Sequence, residues 1–328
     1  LKGVMEEPVG LVIYSISSSF GIPDVTTQLL IGALGVFLLA IDFHSKSKGF
    51  IKKFTPIGWI LVGLFFYLYS AHYVEISDPL LILMTSAALP LGIIVAFWEV
   101  KLEGELSESL TWLKGCVVWS MIPYYVVYSI PVFNMTFVHI TALSTEVILE
   151  YVGLGNFQAA PMRVDTYVGG DKLVSEWGGN KWILTEPLGE AGFYVPMENG
   201  DGSPISIIFI LACSALQSMI VFVGAIVALD SVSWNRRIRG LLIAIPTIFI
   251  LNVFRNVGIV WLTETYPSWS LMGINMFDFT HSYAAKFISL FAMFLMATVL
   301  FDLLPELHKN ILKLLDPVLK IVRINKSS

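Results

Sequence analysis

Seven long apolar runs punctuate the chain at roughly 26–42, 55–73, 79–100, 112–132, 206–229, 240–262 and 282–304. Each is close to the ~20 residues that a helix needs to cross a hydrocarbon core of about 30 Å. The pattern predicts an all-α integral membrane protein, a polytopic bundle of about seven transmembrane helices. An earlier stretch, Val9 to Ile22, is shorter and carries Ser15, Ser17, Ser18, Ser19 and Gly21, which suits an interfacial or re-entrant segment; an eighth helix is the alternative. Between about 133 and 205 the apolar runs give way to the one long hydrophilic stretch. Its first part, Thr141 to Tyr151, reads as a short amphipathic helix. Gly169-Gly170, Gly178-Gly179 and Asn199-Gly200-Asp201-Gly202 then punctuate short apolar-aromatic runs, predicting β-hairpins, among them segments around Lys181 to Leu184 and Gly192 to Val195. Residues 1–304 are therefore expected to form one membrane domain with an insertion at about 133–205, and residues 305–328 a separate tail. In that tail Leu307, Ile311, Leu314, Leu315, Val318 and Val322 recur at helical spacing among basic residues, the pattern of an amphipathic helix on a membrane surface.

Charge orients the bundle. Lys46, Lys48, Lys52 and Lys53 follow the first span, Lys101 and Lys114 flank the loop between the third and fourth, Arg236, Arg237 and Arg239 precede the sixth, and Lys309, Lys313, Lys320, Arg323 and Lys326 lie in the tail. Alternating spans put all four regions on one side, and the bias of Lys and Arg makes that side cytoplasmic. The 133–205 segment then faces outward, and Asn134-Met135-Thr136 becomes a candidate N-glycosylation sequon on the exposed side.

Composition agrees with the periodicity: 56% of the 328 residues are hydrophobic and 14% charged, against roughly 25% charged in soluble domains. The mean hydropathy is +0.76. The chain starts at Leu1, as expected of a processed or trimmed protein, and no charged stretch precedes a short apolar run of signal-peptide type. The alternating topology puts the two cysteines, Cys116 and Cys213, at opposite faces of the membrane, and neither sits in a CxxC pair. No metal, nucleotide or nucleic-acid motif is present, so no cofactor is expected.

Three polar residues stand out. Cys213 lies two turns into the fifth span. Arg255 lies fifteen residues beyond Gly240, about 22 Å up the sixth. His281 opens the seventh. By this arithmetic all three reach the outer interface. An arginine inside a span costs about 2.5–3.5 kcal/mol on insertion scales, and Asn252 and Asn256 beside it suggest a polar patch turned into the bundle rather than a snorkelling side chain. Taken alone, Cys213 is an ordinary small buried residue and His281 an ordinary interfacial one. Together they suit nucleophilic acyl transfer. A cation and a histidine activate a thiol, the cation receives the charge developing on a carbonyl oxygen, and the imidazole relays the proton. Gln217 could orient the scissile amide, Asp278 and Lys286 are candidate supporting partners of the site, with an ion pair to a carboxylate as the alternative for Lys286, and Ser214 is a weaker nucleophile candidate. The competing reading is a transporter or channel with Arg255, His281 and Lys286 along a polar path. The apolar cytoplasmic halves of the last spans, such as Val221 to Leu229, offer no such path.

The runs Leu211-Ala212-Cys213-Ser214-Ala215-Leu216-Gln217-Ser218 and Asn252-Val253-Phe254-Arg255-Asn256, followed by His281, resemble the exosortase/archaeosortase family. The resemblance covers the C-terminal half, and the N-terminal half matches in general character only. It implies an integral-membrane cysteine transpeptidase with Cys213 as nucleophile and Arg255 as electrostatic stabiliser. The third family position is His in exosortases and can be Arg in archaeosortase relatives. This chain offers His281, with no Arg between Arg255 and Arg323. The implied substrates are membrane-anchored surface-protein precursors, S-layer glycoproteins among them, whose C-terminal sorting signal combines a Pro-Gly-Phe motif, a hydrophobic helix and a basic tail. The implied acyl acceptor is a membrane lipid amine.

Overall fold

The computed structural model describes residues 8–45, 53–75, 78–101, 105–166, 169–183 and 191–324. The chain opens with α1 (Pro8–Phe20), α2 (Asp24–His44), α3 (Thr55–Glu75), α4 (Pro79–Lys101), α5 (Glu105–Ser129) and α6 (Pro131–Val152). Five strands follow: β1 (Phe157–Ala159), β2 (Arg163–Thr166), β3 (Gly170–Leu173), β4 (Ala191–Asn199) and β5 (Pro204–Ile210). A 3₁₀ turn at Leu211–Ser214 leads into α7 (Leu216–Val227), then α8 (Trp234–Thr265), the short strands β6 (Ser270–Leu271) and β7 (Ile274–Asn275), and the single turn α9 (Met276–Asp278). A π-helical segment at Phe279–Ala284 continues into α10 (Ala285–Leu303), and α11 (Pro305–Ile324) closes the described chain. Among the described residues six helices are long and apolar enough to cross a membrane: α2, α3 to Val74, α4, α6, α8, and the run Met276–Leu303.

The helical membrane architecture is as expected, and most predicted spans have their helix. Two differ. Residues 206–229 do not form one span. Their first part is β5, whose side chains alternate between exposed and buried with period two; that is strand periodicity, and the Ile-rich composition disguises it as a span. What remains helical is the twelve-residue α7, about 18 Å long and short of the hydrocarbon thickness. Conversely, the insertion expected at 133–205 begins with α6, a full-length apolar helix of 22 residues, where the sequence pattern suggested only a short helix from Thr141. Asn134 lies in its first turn, 5% exposed, and its amide nitrogen donates to the Tyr128 carbonyl at 3.2 Å. The nitrogen that a glycan would occupy is engaged inside the fold.

The chain divides into two compact units. One comprises residues 1–122, 224–233 and 304–328. Its α3 and α4 touch backbone to backbone: a Cβ on Gly63 would lie 2.7 Å from the Ala88 carbonyl oxygen, and one on Gly92 equally close to that of Trp59. Small residues at such points let membrane helices approach closely. Lys114, expected to flank a loop, is instead 3% exposed within α5 and forms an ion pair with Asp42 and another with Glu99 at 3.0 Å. Trp59 donates its indole N–H to Glu99. At the other end of this unit Ser109 donates to Asn310, tying down α11, the single helix that the tail's periodicity predicted. Lys46, Lys48, Lys52 and Lys326 lie outside the described residues, as does Leu184.

The second unit comprises residues 123–223 and 234–303. Its sheet has the order β1-β4-β2-β3, with β5 paired to β4, and every pairing is antiparallel. The predicted glycine turns connect β2 to β3 and β4 to β5. Val195, Met197, Ile207 and Phe209 from the sheet, Val138, Ala142 and Leu149 from α6, and Val253, Val257 and Val260 from α8 close one buried cluster. On the sheet Arg163 forks onto Asp171, with contacts of 2.7–3.1 Å. That guanidinium, with the Tyr194 hydroxyl second, holds the Asp171 carboxyl below the usual carboxylate range.

Candidate active site

Cys213 sits on the 3₁₀ turn that ends β5, half-buried and packed against the valine-rich cluster. The turn is closed locally. Ser214 Oγ donates to the Leu211 carbonyl at 2.7 Å and accepts from Leu216 N–H at 3.3 Å, so this buried hydroxyl serves the turn rather than a reaction. The next residue, Ala215, adopts a left-handed conformation with φ of 57°, which costs a non-glycine residue roughly 1–2 kcal/mol. Such strain persists where surrounding contacts enforce it.

Beside this turn stands α8. Asn252 and Asn256, four residues apart and therefore on one helical face, both aim at the Cys213 backbone. Their amide nitrogens donate to its carbonyl at 2.7 and 3.1 Å. Both side chains are buried, so each amide needs such a partner. The Asn256 amide oxygen in turn accepts from Arg255 Nη1 at 3.2 Å. Asn256 is thus a bracket between the cysteine backbone and the guanidinium, and Arg255 stands near enough to the Cys213 thiol for the two groups to influence each other electrostatically.

Arg255 and Asn252 border an apolar cavity of about 310 Å³ whose wall includes Ala215, Ser218, Gly258, Thr280 and Met293. On its α10 side the π-helical segment 279–284 carries Thr280 and His281. The His281 ring lies flat on Phe277, with centroids 5.2 Å apart, and Phe277 packs against the same cluster as Cys213. The structure therefore joins Asn252 and Asn256 to the Cys213 carbonyl and Arg255 to Asn256, while His281 is linked to this group only through Phe277 and the shared apolar cluster. Gln217 is exposed on α7. Asp278 is exposed as well, its backbone N–H capped by Asn275 Oδ1 at 2.7 Å. Both cysteines are free thiols.

The sequence model of the transmembrane exosortases matches residues 25–301, a range that contains this whole constellation. The chain belongs to the transmembrane exosortase family. As an exosortase it is a multi-pass membrane enzyme that processes sorting signals. It is also similar to Archaeosortase A of Haloferax volcanii, with 25% identity over 227 residues, which are 69% of this chain and 68% of that protein. No solved structure matches this exosortase. Residue reasoning missed two features of the site: the carbonyl of Cys213 as the target of both asparagines and the left-handed Ala215. The first was half visible, because two amides at helical spacing beside an in-span arginine need a common partner. The second depends on the strand ending where it does.

Proposed function

We propose that this exosortase is a cysteine transpeptidase in which Cys213 is the nucleophile. The carrying observation is the convergence of Arg255, Asn252 and Asn256 on one cysteine. The thiolate attacks the scissile carbonyl of a sorting signal, forming a C–S bond, while the carbonyl π electrons move onto oxygen beside the Arg255 guanidinium. Collapse of this tetrahedral species restores the carbonyl and breaks the C–N bond. His281, holding the thiol proton, returns it to the departing amine. The resulting thioester is then attacked by a lipid amine, which forms an amide and regenerates the thiol; limited water access favours the amine over hydrolysis.

The substrates are surface-protein precursors with a Pro-Gly-Phe type motif, a hydrophobic helix and a basic tail. The reaction takes place at the extracytoplasmic face and the C-terminus lies in the cytoplasm. The basic start of α8 supports this orientation: Arg236, Arg237 and Arg239 mark a cytoplasmic end, and Arg255 follows Gly240 by about 22 Å of helix. Asn256 and Asn252 keep the nucleophile's backbone in place, and residues 1–304 act as the membrane-embedded catalytic body.

The test is intact mass spectrometry of the purified protein in lipid, mixed with a peptide bearing that three-part signal. An acyl adduct retained in Cys116→Ala and absent from folded Cys213→Ala is the expected result, and added lipid amine should discharge it into an amide product. An adduct that persists in Cys213→Ala would end the proposal.

A further inference from the structure

We infer that the outer edge of β5 binds the substrate's extended segment by strand addition, delivering the scissile carbonyl to Cys213. The inference rests on the transpeptidase reading and specifies how its peptide is held.

The argument starts from register. β4 pairs with β5 as Val195↔Phe209 and Pro196↔Ile208. Pro196 has no N–H to give, and its carbonyl accepts from Ala160 N–H on the opposite side of β4, at 2.9 Å. Val195 is therefore the residue that exchanges hydrogen bonds with β5, and its partner Phe209 turns its backbone groups inward to β4. In an antiparallel ladder successive residues point their N–H and C=O groups to opposite edges. Ile208 and Ile210 consequently present theirs to the outer edge. Among the described residues β5 pairs with β4 alone.

Ile210 connects this edge to the chemistry, because it ends β5 and the 3₁₀ turn that carries Cys213 starts at the next residue, Leu211. The free edge therefore runs into the turn that holds the sulfur. The side chains agree. Ile205, Ile207 and Phe209 pack on the core, leaving Ile208 at 50% and Ile210 at 42% exposure beside the open edge. Along Ile207–Ile210 the strand carries no charge and no proline; its register irregularity, with the extra residues on β5 between Pro204 and Ile208, lies at the end away from the cysteine. An uncharged edge that ends at a nucleophile suits an extended peptide, whose main chain supplies affinity and whose alternate side chains meet Ile208 and Ile210.

The experiment scans the ligand, so it leaves the protein's fold untouched. A fluorescent sorting-signal peptide is made as a series with one N-methyl group at each backbone position, six residues to either side of the scissile bond. Binding is measured to full-length Cys213→Ala protein in lipid nanodiscs, and adduct formation to the unmutated protein. Strand addition predicts weakening of about five- to tenfold at every second position on one side of the scissile bond, the effect of one lost backbone hydrogen bond each, with intervening positions nearly silent. Ile208→Pro, which removes an outer-edge N–H and spares the β4 ladder, should raise KM by a similar factor with little change in kcat. Even tolerance of N-methylation, loss without alternation, or no binding of the parent peptide would overturn strand addition. Alternating binding without any adduct would instead refute Cys213 as nucleophile and leave strand addition standing.

Discussion

Replacing Asn256 with leucine separates a bracket from a filler. The leucine occupies a similar volume in a site that is 3% exposed in the native protein, but it removes the donor to the Cys213 carbonyl at 3.1 Å and the acceptor for Arg255 Nη1 at 3.2 Å. The carbonyl keeps Asn252 at 2.7 Å, so no buried acceptor is orphaned and the neutral bond contributes only about 0.5–1.5 kcal/mol. The guanidinium bond is charge-assisted, at about 1.5–3 kcal/mol, and its loss frees Arg255 to turn away from the thiol. Without an oriented cation the thiolate is less favoured. Asn256→Leu is therefore expected to slow alkylation of Cys213 at neutral pH by about tenfold, or ~1.4 kcal/mol, and to move the pH midpoint of that reaction upward. The assay is intact-mass measurement of iodoacetamide labelling across pH in a Cys116→Ala background. A double-mutant cycle with Arg255→Ala decides the mechanism. If Asn256 acts through Arg255, the double variant should label no more slowly than Arg255→Ala alone. Additive losses would refute the bracket and reduce Asn256 to packing.

Lys114→Met should destabilise the protein by about 3–5 kcal/mol, because it leaves Asp42 and Glu99 buried without their cation; thermal unfolding in detergent would count against the reasoning if the loss were under about 1 kcal/mol. Ala215→Gly should stabilise by about 1 kcal/mol by relieving the left-handed alanine, and an unchanged or lower Tm would show that the turn is not strained. The Asp171 carboxyl is held low by Arg163 and then Tyr194, so its contribution is complete above the unfolded carboxylate value of 3.8 and disappears as pH falls through the lower folded value. Urea unfolding should accordingly show wild type more stable than Asp171→Asn at pH 6, with the gap closing in strong acid; a gap that persists or widens there would contradict the assignment.

What could be read from the residues, and what could not, follows from what each signal measures. Hydropathy measures transfer into an apolar phase, and α2, α3, α4, α8 and α10 were legible because lipid-facing helices are apolar nearly all round. The tail was legible for the opposite reason, its apolar stripe being interrupted by lysines at helical spacing. Hydropathy cannot say whether an apolar run faces lipid or sheet core, so Pro204–Ile210 merged with α7 into one apparent span and α6 was overlooked beside a glycine-rich segment. The site was legible where chemistry makes burial costly: an in-span arginine and two amides demand partners, and a cysteine in reach of them becomes more than a small apolar residue. The strand error matters most at this point. Within a continuous helix, Cys213 would have its backbone groups consumed by the helix itself and could be approached only from the side. At the end of an edge strand, its carbonyl is free to be held by Asn252 and Asn256. The departure from helical periodicity at β5 is thus what lets the cysteine be fixed through its backbone, and it is the ground on which the proposed strand addition rests.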